Sequence, residues 1–146
     1  MREITDLYSA LLHSACNRPE QDAIVETSRR WTYHELLMAV DRAADMFWGL
    51  GVSKGDKVAV ALRNSSEFII TNFALAKLGA VSVPVNFMIT KPEELRFILS
   101  DCGAKGVVTQ NDFLQTYLKL KAQLGIFVLA ADPKPHSHAG DFWRLL

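Results

Sequence analysis

Residues 51–86, GVSKGDKVAVALRNSSEFIITNFALAKLGAVSVPVN, decide the fold class of this chain. Residues 58–62 form an almost continuous apolar run, which is typical of a strand buried on both faces of a parallel sheet. Ser65 or Ser66 can cap the helix that follows, and Gly79 stands where a left-handed residue would end it. A second apolar run, VSVPVN, comes directly after. Strand, helix and strand in this order predict a βαβ unit with a right-handed crossover.

The same alternation extends outward from this stretch. Upstream, the sequence predicts an amphipathic helix over 5–16 capped by Thr5, a hairpin within 22–33, and a long helix that begins at a capping box of Thr32 and Glu35. Downstream it predicts helix, strand, capped helix and strand, in segments that start near residues 91, 106, 111 and 125. Pro84 indicates an edge or irregular strand, because proline donates no ladder hydrogen bond.

We therefore predict an α/β fold in which βαβ layers form a parallel sheet with helices on both faces. A length of 146 residues and an apolar content of 49% suit one domain with a real core. Residues 1–132 are predicted to form this α/β subdomain. Residues 133–146, PKPHSHAGDFWRLL, show no periodicity and are predicted to be a loop or an approach segment to further chain.

Composition excludes several classes of function. Sixteen basic and 16 acidic residues give a formal charge of zero, so no electrostatic footprint for nucleic acid is expected. The sequence contains no apolar run of the roughly 20 residues that a membrane-spanning helix needs. Cys16 and Cys102 are too few for a disulfide framework and are predicted to be free thiols of a cytoplasmic protein.

Motif searches yield no catalytic constellation and no metal site. Gly49 and Gly51 follow a predicted helix and precede a strand, whereas a dinucleotide fingerprint requires the reverse order. No glycine is followed by Lys and then Ser or Thr, so a phosphate-binding loop of that type is absent from the sequence. His136 and His138 lack companion ligands at metal-site spacing and are predicted to lie in a solvated tail.

The carboxyl ends of the predicted strands are the best candidates for ligand contact, because open α/β sheets bind ligands there. The residues that directly follow those strands are the expected contacts, although an ordinary loop role is the commoner use of such positions. They are Arg63, Asn64, Asn86 and Phe87, with Thr109 and Gln110 after the next strand.

Three ordered motifs resemble one family, the AMP-forming adenylate synthetases, which include acyl-CoA ligases, luciferases and the adenylation domains of peptide synthetases. They are WTYHEL at 31–36, GLGVSKGDKV at 49–58 and LAKLGAVSVPVN at 75–86. The resemblance runs from about Leu7 to Gln110. Asn86 after the Pro-Val pair is similar to the acyl-CoA ligase branch, since peptide-synthetase domains tend to carry Asp there.

The resemblance implies a two-step reaction on a fatty acid or another carboxylic acid. The carboxylate attacks the α-phosphate of ATP to give an acyl-adenylate, and the thiol of coenzyme A then displaces AMP. In the family this chemistry uses ATP, Mg²⁺ and coenzyme A. Some relatives place at Met88 an Arg that meets the nucleotide end of coenzyme A, a charge-assisted contact that methionine cannot make.

The family's phosphate loop, its acidic ribose contact and its catalytic Lys lie downstream of the matching region. The resemblance therefore implies a non-catalytic N-terminal piece, without catalytic residues of its own, whose carboxylate substrate is held by further domains. None of the three cofactors is expected to bind tightly to this chain alone, and an uncovered apolar face would favour self-association.

Two alternatives remain open at this point. The first is a stand-alone non-catalytic binding or assembly module, which a second chain could complete as half of a split enzyme. The second is a flavodoxin-like binding protein, which would bind a nucleotide tightly at the strand ends.

Overall fold

The computed structural model describes residues 4–131 and 140–145. The helices in this part of the chain are α1 Leu7–Asn17, α2 Tyr33–Gly49, α3 Ser66–Leu78, α4 Pro92–Asp101, α5 Asn111–Leu124 and α6 Phe142–Leu145. The strands are β1 Asp22–Val25, β2 Arg30–Thr32, β3 Lys57–Ala61, β4 Val81–Pro84, β5 Ala104–Thr109, β6 Phe127–Ala130 and β7 Gly140–Asp141.

Five strands form one parallel sheet in the order β4-β3-β5-β6-β7. The first two strands pair separately as the predicted antiparallel hairpin. The predicted α/β fold class is therefore confirmed. β4 lies at an edge of the sheet, which leaves one side of the strand that contains Pro84 without a ladder partner in the described residues.

Strand β3 shows why both faces of the sheet are covered. Side chains alternate between the faces of a strand, so Val58 and Val60 join one apolar cluster while Ala59 and Ala61 join another. The first cluster contains the apolar faces of α2 and α3, and the second contains those of α4 and α5. All four strand residues are at most 1% exposed. The prediction of helices on both faces is confirmed.

Capping decides where the helices begin and end. Thr32 and Glu35 form the predicted capping box at the start of α2, and Gly79 ends α3 in the left-handed region with φ of +67°. At α1 the predicted cap, Thr5, is wrong. Asp6 is the cap, because its carboxylate accepts the Ser9 N–H at 2.7 Å while the Ser9 hydroxyl accepts the Asp6 N–H at 3.1 Å.

The end of the chain returns to the sheet. Residues 140–145 form β7 and α6, so the loop prediction is wrong for these positions. Phe142 is fully buried in the cluster that contains α2 and α3, and the Trp143 ring stacks on Trp31 at 6.0 Å between centroids. A two-residue strand and one helical turn are too short to produce a periodic pattern. His136 and His138 lie outside the described residues.

None of the described helices is long and apolar enough to cross a membrane.

Candidate functional site

The sheet has a topological switch point between β3 and β5. The chain leaves β3 for β4 on one side, and then crosses back so that β5 lies on the other side of β3. In open α/β sheets the loops that follow the strands diverge at such a point and leave a crevice for a ligand. The loops after β3, β4 and β5 carry the candidates predicted from the sequence.

Arg63, in the loop after β3, contacts two aromatic rings, one in the loop after β4 and one in the first turn of α5. Its guanidinium carbon lies 5.4 Å from the ring centroid of Phe87 and 5.0 Å from that of Phe113. The two rings are themselves stacked, with centroids 5.9 Å apart. Both distances from the cation are within the range of a cation–π attraction. An Nη1 hydrogen of Arg63 is also donated to Asp112 Oδ2 at 2.7 Å.

Gln110, which directly follows β5, is hydrogen-bonded through its side chain to the backbone of the loop after β3. Its side-chain oxygen accepts the Arg63 N–H at 2.8 Å, although Gln110 occupies the N-cap position of α5. At the start of α5 Gln110 makes no side-chain cap hydrogen bond, and the helix is capped at its other end by Gly125 in the left-handed region. We call Arg63, Phe87, Gln110, Asp112 and Phe113 the Arg63 cluster.

The other predicted positions have different surroundings. Asn86 forms a turn, since its side-chain oxygen accepts the Met88 N–H at 3.0 Å. Asn64 is exposed in the loop after β3. Thr109 is fully buried and its hydroxyl donates to the Ala61 carbonyl at 3.3 Å, so it cannot reach a ligand without moving.

Asp112 and Phe113 were not predicted from the sequence. They belong to the first turn of α5, which follows β5 directly. An acidic and an aromatic residue just after a strand are a usable signal, because the first turn of a helix that directly follows a strand lies at the same edge of the sheet as the end of that strand.

Electrostatics differ between the two edges of the sheet. At the carboxyl edge, 48% of the Arg63 side chain and 62% of the Asp112 side chain are exposed, so solvent screens their ion pair. At the amino edge, Lys105 Nζ lies 2.9 Å from Asp56 Oδ2, and Ser53 donates to the same carboxylate from its N–H and its hydroxyl. These contacts, led by that with Lys105, lower the pKa of Asp56 to about 2.

A second surface groove, of about 330 Å³, lies beside the hairpin and α2. Trp31 is the first residue of the WTYHEL motif. One face of its ring is covered by the guanidinium of Arg29, whose carbon lies 3.5 Å from the ring centroid. The neighbouring Trp143 ring donates its N–H to Glu67 at 3.1 Å. Through its stacking on Trp31 and its hydrogen bond to Glu67, Trp143 attaches α6 to the hairpin and to α3.

The described residues form an open parallel sheet of the α/β class, with a cationic and aromatic cluster at the switch point where such sheets bind ligands. Comparison with known families identifies the family within this fold class. The model of a family described as "AMP-binding enzyme" matches residues 11–141. The chain belongs to the AMP-binding enzyme family, as the resemblance of its motifs predicts.

Two curated relatives are CoA ligases. The chain is 45% identical over 92 residues to a long-chain-fatty-acid–CoA ligase, FadD13, of Mycobacterium tuberculosis, an alignment that covers 62% of this chain and 18% of the relative. It is 40% identical over 94 residues to a crotonobetaine/carnitine–CoA ligase of Escherichia coli, which covers 64% of this chain and 18% of that protein. The aligned region is thus under a fifth of the length of either relative.

Solved structures agree on the fold. The N-terminal domain of FACL13 from Mycobacterium tuberculosis superposes with a TM-score of 0.76 at 32% identity, covering 93% of this chain and 33% of that one. The anthranilate CoA ligase AuaEII, solved with anthranoyl-AMP, superposes with a TM-score of 0.90 over 99% of this chain and 28% of that one. At 22% identity the second match bears on the fold alone.

Proposed function

We propose that this chain is the N-terminal part of an ATP-dependent acyl-CoA synthetase whose substrate is a fatty acid or another carboxylic acid. The observation that carries the proposal is the 45% identity over 92 residues to a long-chain-fatty-acid–CoA ligase. The 32% identity to a solved N-terminal domain of the same class of fold adds support. In the whole enzyme, a carboxylate would attack ATP to give an acyl-adenylate and pyrophosphate, and the thiol of coenzyme A would then release AMP.

The chain itself is a scaffold that supplies one wall of the substrate or coenzyme pocket and does not catalyse the reaction. We assign Arg63, Asn64, Asn86 and Phe87 to that wall. The contact of the Arg63 guanidinium with the Phe87 ring at the carboxyl edge supports the assignment, because a cation beside an aromatic face suits an anionic nucleotide. Met88 is 75% exposed and carries no charge for such a ligand.

ATP, Mg²⁺ and coenzyme A belong to the proposed whole enzyme. The described residues hold no group of three or more His, Cys, Asp or Glu side chains that could bind a metal ion. We assign none of these described residues to Mg²⁺. We expect none of the three cofactors to bind tightly to the chain alone, because the family's phosphate loop, ribose contact and catalytic Lys lie downstream of the matching region. The carboxylate substrate would be held mainly by residues beyond this chain.

Four further proposals concern the bounds of the subdomain, self-association, the cellular compartment and nucleic acid. Residues 1–132 are an α/β subdomain, and residues 133–146 are the approach to the rest of the enzyme, of which 140–145 pack onto the subdomain as β7 and α6. Exposed apolar side chains such as Trp48 and Phe97 would favour self-association when the rest is absent. The free thiols of Cys16 and Cys102 suit the reducing cytoplasm, and the even charge balance gives no reason to expect a nucleic-acid partner.

A second candidate is a stand-alone non-catalytic binding or assembly module. In one version of it, a second chain completes the module, which is then half of a split enzyme. It is favoured by the helices that cover both faces of the sheet. Gel filtration with an apolar dye separates a fragment or a split-enzyme half from a module that is complete by itself. A severed subdomain should self-associate or bind the dye, whereas a monodisperse chain without dye binding would count against both a fragment and a split-enzyme half.

An activity assay tests the leading proposal. The chain alone and the chain extended in frame to the length of its relatives are each incubated with ATP, Mg²⁺, coenzyme A and fatty acids of several lengths. Acid-dependent release of AMP should occur with the extended protein and not with the chain alone. Activity of the chain alone, or inactivity of a folded extended protein with every acid, would contradict the proposal.

A further inference from the structure

The groove beside the hairpin and α2 combines two cations with apolar side chains. Arg29 and Arg42 line it together with Met38 and Trp143, and its volume of about 330 Å³ is within the usual size of protein binding pockets. Neither arginine forms an ion pair with another described residue. The carboxylate of Glu35, which also lines the groove, is held by the capping box of α2. The groove therefore suits an apolar side chain with carboxylates beside it.

A surface of that kind lies on α4. Phe97 is 68% exposed, and Glu93 and Asp101 stand four residues before and after it, so the three side chains share one face of the helix. Both acidic residues are exposed, and neither forms an ion pair with another described residue, since the nearby Lys91 pairs with Glu94 at 3.1 Å. We call Glu93, Phe97 and Asp101 the Phe97 face.

One molecule cannot fill its own groove with this face. The apolar side of α2 packs on the face of the sheet that contains Val58 and Val60, whereas that of α4 packs on the opposite face, which contains Ala59 and Ala61. Because the sheet lies between them, a contact of the groove with the Phe97 face joins two molecules head to tail. Repeated contacts of this kind give chains or closed rings of molecules.

We infer that the groove of one molecule binds the Phe97 face of a second copy of this chain. The Phe97 ring covers the apolar part of the groove, where Met38 is 45% exposed. The carboxylates on either side of the ring meet the two groove arginines, so the attraction of opposite charges sets the orientation. The inference names the surfaces of the self-association proposed above, and it rests on that part of the proposed function.

The experiment is analytical ultracentrifugation of the 146-residue chain over a wide range of concentration. The parent should form species larger than a dimer, and sodium chloride should weaken the association because it screens the charges. Arg42→Glu replaces attraction by repulsion and should weaken the association about five- to twentyfold. Phe97→Ala removes the ring that the contact buries and should weaken it about tenfold or more.

The matched control is Lys119→Glu. Lys119 is exposed on α5, outside both surfaces, and its replacement changes the net charge by the same amount as Arg42→Glu. The control should associate as the parent does. Thermal unfolding shows whether each variant folds. If Arg42→Glu does not fold, Arg42→Gln replaces it and should weaken the association about two- to fivefold.

A mixture of two variants tests the head-to-tail arrangement. Arg42→Glu keeps the Phe97 face, and Phe97→Ala keeps the groove, so one intact contact can form between them. The mixture should give dimers of one copy of each, although either variant associates weakly by itself. A mixture that forms no such dimers would overturn the inference.

The remaining outcomes identify other occupants. Loss of association in Phe97→Ala alone would mean that the ring binds elsewhere, and loss in Arg42→Glu alone would mean that another segment fills the groove; either result overturns the inference. It is also overturned if the parent stays monomeric, if salt strengthens the association, or if Lys119→Glu weakens it as Arg42→Glu does. Only a monomeric parent would also contradict the proposed self-association. The ligase function is tested separately, by AMP release from the extended protein.

Discussion

Replacing Gly106 with alanine should destabilise the sheet, because a ring occupies the space above this glycine. Gly106 in β5 is paired with Phe127 in β6. A Cβ at Gly106 would lie 2.2 Å from both Cε2 and Cζ of the Phe127 ring. Carbon atoms in good contact are about 3.5 Å apart or more, so the ring would have to withdraw by roughly 1.3 Å.

The size of the effect follows from what the ring would lose. Phe127 is half-buried and packs against the apolar cluster that contains Phe47, with ring centroids 6.4 Å apart. Forcing extra atoms into such a contact costs about 1–3 kcal/mol, and alanine recovers up to about 1 kcal/mol over glycine within a strand. We expect Gly106→Ala to lower the free energy of unfolding by about 1–2 kcal/mol and Tm by roughly 2–8 °C.

The assay is urea unfolding followed by circular dichroism, run as a double-mutant cycle with Phe127→Ala. In the background without the ring, Gly106→Ala should become neutral or stabilising, which shows that the clash carries the cost. Gly49→Ala is the control, since a Cβ there meets no atom within 4 Å. If Gly106→Ala is as stable as the parent, or if its cost is unchanged without the Phe127 ring, the packing argument is refuted.

Three other predictions concern single contacts. Folding lowers the pKa of Asp56 from 3.8 to about 2, chiefly through Lys105, so the stability that this carboxylate adds is present above pH 3.8 and is lost as the pH falls toward 2. Urea unfolding across that range should show the loss, and Lys105→Gln should weaken it; an identical pH dependence in both proteins would be evidence against the assignment. Thr32→Ala removes the side-chain cap of α2 and should cost about 1 kcal/mol in the same unfolding assay, whereas Thr32→Ser should cost much less. Burial raises the pKa of Tyr117 to about 12, so one tyrosine should ionise well above its ordinary value in an ultraviolet pH titration, and Tyr117→Phe should remove that late step.

Local signals made much of the fold predictable from the sequence. The apolar run before Arg63, the Ser65 cap and Gly79 each act within a few residues, and the strand and helix they predict are present as β3 and α3. The order of the strands could not be predicted from local signals, because it depends on where each crossover connection returns to the sheet. Nothing in the local pattern specifies that β5 lies next to β3.

The candidate site was predictable to the same extent. The rule that ligands bind at the carboxyl ends of parallel strands selects the residues that directly follow them, among them Arg63 and Phe87, which are in contact. Their contact with Phe113 depends on the sheet order, which brings the loops after β3, β4 and β5 together. The return of Phe142 to the core was also missed, because a single buried ring after an irregular segment has no periodic neighbours to reveal it.

The most direct test of the proposed function is to read the coding DNA beyond Leu146, in the same frame and in the other two. The proposal predicts that it continues in frame into a Ser/Thr/Gly-rich loop with a Lys, followed by the remaining length of an acyl-CoA synthetase. A stop codon with no downstream remnant in any frame would contradict the proposal and favour the stand-alone module.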